Sequence, residues 1–425
     1  MVDRPQTGER ALLVHLTRGR QASADELQEF RALANSAGAE IVAELQVRID
    51  RPNPRFFTGR GKAEEIAELA QTDCAELILV SQALAPNQER NLERLASVRV
   101  LDRNGLILDI FAQRAATFEG KLQVELAQLE HLSTRLVRGW SHLERQKGGI
   151  GLRGPGETQL ETDRRLIGQR IKRLKVRLDR VLRQRETSRR ERRRANLPTV
   201  ALVGYTNAGK TTLFNRLSGA TLAAKDQLFA TLDPTIRRLE LNPGEEVLVV
   251  DTVGFVRDLP HELVAAFRAT LTETRDASLL LHVIDASDPH HEDRMRHVRE
   301  VLEQIGASNV PTLEVYNKAD RVLELAEAET GVGSKLCVSA RTGTGIEGLL
   351  HAIRAQVVGA PVAGQLRLEP AQSRIRAQLF DWNAVKSEQV DSCGRFTLEI
   401  ELSARRWREL SEKEGLSRDC ISQKA

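Results

Sequence analysis

One short run, Gly204-Tyr205-Thr206-Asn207-Ala208-Gly209-Lys210-Thr211, has the glycine, lysine and hydroxyl spacing of a phosphate cradle. Its glycines let successive backbone N–H groups turn inward toward α- and β-phosphates. Lys210 carries charge to the β/γ oxygens, and the Thr211 hydroxyl is a hard oxygen ligand for Mg²⁺. Asp251 closes an apolar run farther on and is followed by Thr252-Val253-Gly254. A carboxylate there can hold a water on Mg²⁺, and the Gly254 amide can meet a γ-phosphate. The base is indicated by Asn317-Lys318-Ala319-Asp320, because a carboxylate matches the N1–H and N2–H₂ donors of guanine and adenine lacks that amine. Backbone in Ser339-Ala340-Arg341 is placed to donate to guanine O6. These runs, in this order, read as a site for GTP and its hydrolysis.

Between the first two lies Phe229-Ala230-Thr231-Leu232-Asp233-Pro234-Thr235, of which Phe229 to Asp233 are expected to line the nucleotide and a switch threonine to reach Mg²⁺ once a γ-phosphate is present. Thr231 and Thr235 both qualify on chemistry. Position 255, just past Gly254, is phenylalanine, which cannot orient water by hydrogen bonding as the glutamine of many regulatory GTPases does.

Each of these runs needs a strand or helix to aim it. Thr199 to Val203, Glu246 to Asp251, Leu279 to Ile284 and Thr312 to Tyr316 are short apolar strands, each ending at or just before a motif, which predicts a parallel sheet with helices between. Residues 1–115 alternate in the same way: strands at Ala11–Val14, Ile41–Ile49, Leu77–Val80 and Val98–Leu101, with helical patterns at Ala24–Ala37, Ala63–Ala70 and Asn87–Leu95. Within them, Gly59-Arg60-Gly61-Lys62 opens a helix and could greet a phosphate or simply make a tight turn. Residues 116–196 read as a helical hairpin arm, with one apolar seam at Leu122, Leu126, Leu129, Leu132 and Leu136 and a second at Ile167, Ile171, Leu174, Leu178 and Val181. Gly148 to Glu157 holds five glycines and one proline and makes the tip. Residues 197–360 form the nucleotide domain and 361–425 a small α/β appendix, with a strand at Phe396–Leu402 and a helix at Ala404–Lys413.

Charge is concentrated rather than spread. The whole chain carries +4, yet Arg170 to Arg194 alone holds thirteen Arg or Lys against Asp179, Glu186 and Glu191, a net of +10. Such a stem suits a phosphate backbone. Aromatic residues are only 4%, which excludes a stacking platform for single-stranded bases. The four cysteines lie far apart with no Cys-x-x-Cys pair, which excludes a disulfide scaffold and the usual zinc patterns. No apolar run nears the roughly 18 residues of a membrane span, and the charged start is no signal peptide. A cytoplasmic location is therefore expected.

With these residues assembled, the chain resembles the HflX family of ribosome-associated P-loop GTPases. Beyond the nucleotide motifs, the resemblance rests on Phe57-Thr58-Gly59-Arg60-Gly61-Lys62, Leu101-Asp102-Arg103 through Phe111, Glu119-Gly120-Lys121-Leu122-Gln123-Val124-Glu125 and the Gly148 to Glu161 loop. It implies that Thr211 and Thr231 are the Mg²⁺ ligands, with Ala230 standing where related switches carry a first threonine. It implies that Lys210, Thr231, Gly254 and Asn207 carry hydrolysis, Asn207 resembling the asparagine of GTPases that use K⁺ in place of an arginine finger. It also implies an arm that enters the large ribosomal subunit and its rRNA, dissociation of stalled or idle ribosomes, often after heat stress, no DNA partner, and a monomer away from the ribosome. A nucleotide-dependent RNA-unwinding protein, using Gly59 to Lys62 for a second nucleotide, is the alternative. An RNA-modifying GTPase lacks a catalytic cysteine or metal cluster to do the work.

Overall fold

A computed structural model describes residues 8–144, 155–194, 197–221, 227–242, 245–257, 268–322, 336–359, 362–391, 394–402, 404–414, 416 and 421–422. Of the glycine-rich tip expected at Gly148 to Glu157, residues 148–154 lie outside them, and Pro155 to Glu157 belong instead to the first turn of the second arm helix, where proline is tolerated.

The amino-terminal unit is built from β1 (Arg10–Arg18), α1 (Ala24–Ala37), β2 (Glu40–Ile49), α2 (Arg60–Thr72), β3 (Leu77–Val80), α3 (Pro86–Ala96), β4 (Arg99–Asp102) and α4 (Arg103–Arg114). Its strands form a parallel sheet in the order β2-β1-β3-β4. The β3 sequence Leu-Ile-Leu-Val is buried on both faces, as a central parallel strand requires. Ser23 starts α1 with a reciprocal cap, its hydroxyl accepting from the Glu26 N–H while the Glu26 carboxylate accepts from the Ser23 N–H.

Two long helices follow, α5 (Phe118–Glu144) and α6 (Pro155–Arg194). They run antiparallel: Glu119 near the start of α5 pairs with Arg185 near the end of α6 at 2.6 Å, and Glu130 with Lys175 at 2.9 Å. Leu122, Leu126 and Leu174 are buried between them, flanked by Leu129, Ile171, Leu178 and Val181. Leu122, Leu126 and Leu129 of the first expected seam thus face Ile171, Leu174, Leu178 and Val181 of the second, while the side chain of Leu136 lies outside the described residues.

The nucleotide unit holds β5 (Thr199–Val203), α7 (Lys210–Ser218), β6 (Thr235–Asn242), β7 (Glu245–Asp251), α8 (Arg268–Arg275), β8 (Leu279–Asp285), α9 (His291–Gln304), β9 (Thr312–Asn317), β10 (Leu336–Cys337) and α10 (Ile346–Val357). Its sheet order is β10-β9-β8-β5-β7-β6, parallel except for the β6 edge, which pairs antiparallel with β7. The last unit adds β11 (Val362–Leu368), α11 (Ser373–Asp381), β12 (Val385–Val390), β13 (Phe396–Leu402), α12 (Ala404–Glu414) and β14 (Ile421–Ser422) in an antiparallel sheet ordered β12-β13-β11-β14.

One apolar core crosses from the first unit into the nucleotide unit. It joins Phe30, Leu33 and Phe111 of α1 and α4 to Phe229, Leu232, Phe255 and Val256. The segments that face a nucleotide are thus packed against the amino-terminal unit.

Candidate functional site

The parallel sheet delivers its motifs at one edge. β5 ends at Val203, and the chain turns through residues 204–209 into α7, with Gly209 at φ +89 capping the helix. That left-handed conformation, with the Asn317 amide packed where a Cβ would stand, admits glycine and little else. Asn207 in the same loop also takes a positive φ, +61, which asparagine tolerates. Lys210 is buried, its Nζ donating to the carbonyls of Tyr205 at 2.7 Å and Gly204 at 3.2 Å. Burial pulls its ammonium down to about 8, with Asp251 acting in the opposite sense. A phosphate arriving beside it would favour the charged ammonium and offset this lowering.

Three oxygens converge next to this lysine. The Thr211 and Thr231 hydroxyls lie 2.8 Å apart, and they approach the same oxygen of Asp251 at 2.9 and 2.8 Å. The other Asp251 oxygen is buried without a hydrogen-bond partner among the described residues. Burial pushes this carboxylate up, while both threonines and Lys210 pull it down. Two hydroxyls and a carboxylate whose second oxygen is unpartnered form a hard donor set that fits Mg²⁺. Thr235, the other threonine open on chemistry, instead begins β6. Gly254 lies on the opposite wall, where a Cβ would come 2.9 Å from Lys210 Nζ and 2.8 Å from Thr206. Thr206, Asn207, Gly209, Lys210, Thr211, Phe229, Ala230, Thr231, Thr252 and Gly254 line one cleft. Val253 is buried beside it.

The base-reading loops are tied to the phosphate loop through Asn317. Its amide donates to the Ala208 carbonyl at 2.9 Å, and its oxygen accepts from the Ala340 N–H at 3.0 Å. Lys318, at φ +64, pairs with Asp285 at 2.7 Å. Asp320 is exposed, one oxygen accepting from the Ser339 hydroxyl at 2.7 Å. Arg216 donates to the carbonyls of Ala340 and Arg341 at 3.2 and 2.5 Å, and Ala319 is buried beneath.

Two of the expected contact residues face elsewhere. Leu232 is buried in the core shared with the amino-terminal unit, and the Asp233 carboxylate is taken up by Ala116 and Thr117, ahead of α5. Phe229, at φ +56, lines the cleft but stacks edge-on against Phe111 of α4 at 4.6 Å. Phe255, where a glutamine would orient water, is buried. Its N–H donates to the Gly204 carbonyl at 3.1 Å, and its carbonyl accepts from the Thr206 N–H at 2.8 Å. The backbone of Phe255 therefore docks this segment on the phosphate loop, while its ring sits in the shared core.

Sequence reasoning missed the acidic face of α1. Asp25 takes Arg257 at 3.1 Å and Arg294 at 2.5 Å, while Glu26 takes the other Arg257 nitrogen at 3.1 Å. Glu29 pairs with Arg103 and with the Tyr205 hydroxyl. These partners are more than seventy positions apart in sequence and follow no period. The Leu101-Asp102-Arg103 stretch now has a role in this interface, since Arg103 also donates to the Arg257 carbonyl at 2.9 Å. By contrast, in Gly59 to Lys62 each basic side chain is answered on its own helix, Arg60 by Glu64 at 2.8 Å and Lys62 by Glu65 at 2.6 Å. Neither Gly59 nor Gly61 takes a positive φ or has an atom within 4 Å of where a Cβ would stand, so the backbone itself does not require glycine at either place. No cluster of three or more His, Cys, Asp or Glu able to hold a metal exists among the described residues, and no described helix is long and apolar enough to cross a membrane.

Comparison with known proteins matches three family descriptions: GTP-binding GTPase N-terminal over residues 24–112, GTP-binding GTPase Middle Region over 114–192, and 50S ribosome-binding GTPase over 199–318. The chain is 51% identical to GTPase HflX of Escherichia coli, over 97% of this chain and 98% of that protein. It is 48% identical to GTPase HflX of Magnetococcus marinus, over 84% of each. Among solved structures, a GTP-binding protein from the archaeon Sulfolobus solfataricus in complex with GDP is 25% identical, covering 82% of this chain and 98% of that one, with a TM-score of 0.42.

Proposed function

Since the chain belongs to the HflX family of GTPases, we propose that it binds the large ribosomal subunit through its helical arm, dissociates stalled or idle ribosomes, and uses GTP hydrolysis to time its release. Hydrolysis of GTP to GDP and phosphate is the activity of the family and of this chain.

In this reading Thr211 and Thr231 hold Mg²⁺ directly and Asp251 holds it through water. Held there, Mg²⁺ would supply positive charge against the phosphate oxygens of GTP. Lys210 answers the same oxygens from the buried side, the Gly254 N–H meets the γ-phosphate, and Asp320 reads the guanine edge. Asn207 marks the place where K⁺ would add positive charge. The protein acts in the cytoplasm as a monomer away from the ribosome.

The observation that carries the ribosome-binding part is the outer face of α6. Arg170, Lys175 and Arg185 pair inward with Glu125, Glu130 and Glu119 of α5, whereas Lys172, Arg173, Arg177, Arg180 and Arg183 are exposed in one band. A row of cations on a rigid helix suits the phosphates of rRNA, and each phosphate neutralised steepens the fall of log K with log salt by about 0.7 to 0.9 units. Reversing charge at Arg173, Arg177 and Arg180 should weaken co-sedimentation with isolated large subunits, and should flatten its salt dependence by about two units if all three meet phosphate. GTP affinity should stay put. Subunit binding equal to the parent's at every salt concentration would remove the arm from the interface.

A further inference from the structure

Asp233 sits two residues beyond Thr231, and its carboxylate is spent on the root of the arm. One oxygen accepts from the N–H groups of Ala116 at 3.0 Å and Thr117 at 2.8 Å, and the other accepts from the Thr117 hydroxyl at 2.5 Å. The same Thr117 hydroxyl accepts from the Gly120 N–H at 3.0 Å, and the Thr117 carbonyl takes the first helical bond from Lys121 at 3.0 Å. Thr117 is therefore the N-cap of α5, and Asp233 caps the cap from more than a hundred residues away. Its negative charge also suits a helix N-terminus. A side chain at position 120 would strike the Asp233 carboxylate, which accounts for the glycine there.

The connection from this clamp to Thr231 is short and stiff. Leu232 is fixed in the core, and Pro234 holds its own φ and restricts Asp233 to extended backbone. On the other side of the clamp, Glu119 in the first turn of α5 is bound by Arg185 of α6, so both arm helices share this root.

We infer that Asp233 is a positioning residue for GTP hydrolysis: by clamping Thr117 it holds Thr231 toward Thr211 and Asp251, and it couples the seating of the arm to the seating of Thr231. Coupling of this kind is reciprocal. Whatever draws Thr231 to a γ-phosphate and its metal tightens the arm root, and whatever tilts the arm root loosens Thr231. The inference rests on the reading of Thr231 as a metal ligand that is engaged only when a γ-phosphate is present.

The test uses the full chain with Mg²⁺ and compares affinity for a non-hydrolysable GTP analogue with affinity for GDP. Asp233→Asn and Thr117→Val should each lower analogue affinity about tenfold, the size of one lost charge-assisted hydrogen bond, while GDP affinity holds. The double variant should be no worse than the weaker single, since both remove one link. Thr117→Ser keeps the hydroxyl and should match the parent. Amide exchange at residues 116–121 should quicken in Asp233→Asn and Thr117→Val, and in the parent it should slow when the analogue replaces GDP. The serine–valine pair at position 117 still decides the matter if Asp233→Asn does not fold. An unchanged analogue-to-GDP ratio in both single variants, or effects that simply add, would overturn the inference. Thr231→Ala separates the two levels. If it lowers the ratio while the clamp variants do not, only the clamp fails; if it too leaves the ratio unchanged, the metal-ligand reading fails and the clamp with it.

Discussion

The backbone N–H of Arg257 donates to the hydroxyl of Tyr205 at 2.9 Å, so the segment after Gly254 hangs from the phosphate loop by a side chain that points away from phosphate. Tyr205 in turn donates to Glu29, and burial together with that carboxylate raises its phenol, keeping it neutral and able to do both. Arg103 closes the ring, bonded to Glu29 and to the Arg257 carbonyl. Tyr205→Phe strips one partner from a buried carboxylate and one from a half-buried N–H, and it should cost about 1–3 kcal/mol of unfolding free energy. In denaturant titrations the Tyr205→Phe and Glu29→Gln losses should fall short of adding. Strict additivity would show that the ring is not a unit.

Guanine selectivity should rest on Asp320. Asparagine there turns an acceptor toward N2–H₂ into a donor, and the loss of a charge-assisted bidentate pair should weaken GTP binding by roughly 2–4 kcal/mol. Because Asp320 is exposed and, among the described residues, holds the Ser339 hydroxyl, stability should barely move. Xanthosine nucleotides, which present an oxygen at that edge, should gain affinity in the same variant, measured by competition binding.

Turnover by the free protein should be slow. Phe255 orients no water, and Arg257, the arginine nearest the γ-phosphate motif in sequence, is committed to Asp25 and Glu26. An arginine finger can be worth about 10³ to 10⁵ in rate. K⁺ at Asn207 and the ribosome are the expected sources of the missing charge, so replacing Na⁺ by K⁺ should speed hydrolysis in the parent and do nothing in Asn207→Ala. Rapid turnover in Na⁺ without ribosomes would contradict this.

The contact of α5 with the amino-terminal sheet should show in the pH dependence of stability. Glu89 and Asp102 share the guanidinium of Arg135. Burial, with Asp102 and Glu93 nearby, pushes Glu89 up to about 7 against the partial relief from Arg135. A raised carboxyl stabilises the fold while it is protonated, so this contribution is present at low pH and is lost as pH rises from about 4.5 through about 7. The buried His131 ring, held below its usual value chiefly by burial, has the opposite slope. The difference between the parent and Glu89→Gln, followed by denaturant unfolding across that window, isolates Glu89. The parent should lose ground relative to the variant as pH rises, and a constant difference would refute the assignment.

What could be read from residue order was whatever repeats or is local. The β1 and β3 runs, the facing leucine seams of α5 and α6, and the strand-then-motif order of the nucleotide unit all depend on neighbours a few positions apart, and each reappears in the coordinates. The approach of Thr211 and Asp251 could also be expected, since the first follows β5 and the second ends β7, two paired parallel strands, whereas only the family resemblance singles out Thr231 over Thr235. The α1 contacts could not. Asp25, Glu26 and Glu29 look like the ordinary acidic start of a solvated helix, and nothing local ties them to Arg257, Arg294 or Tyr205. The same holds for Asp233, whose place beside Thr231 suggested a nucleotide contact until its partner Thr117 came into view.

The core shared by Phe111, Phe229, Leu232 and Phe255 has a practical consequence for ancestry and for engineering. Cutting the chain ahead of the nucleotide motifs would leave a fragment with an aromatic face open to water and a switch segment stripped of Phe111, Ser36 and Thr117. A chimera joining this nucleotide unit to another relative's amino-terminal half would need matching residues at all of those places at once. The two halves are therefore physically interdependent, and a change in the packing of one is felt by the other.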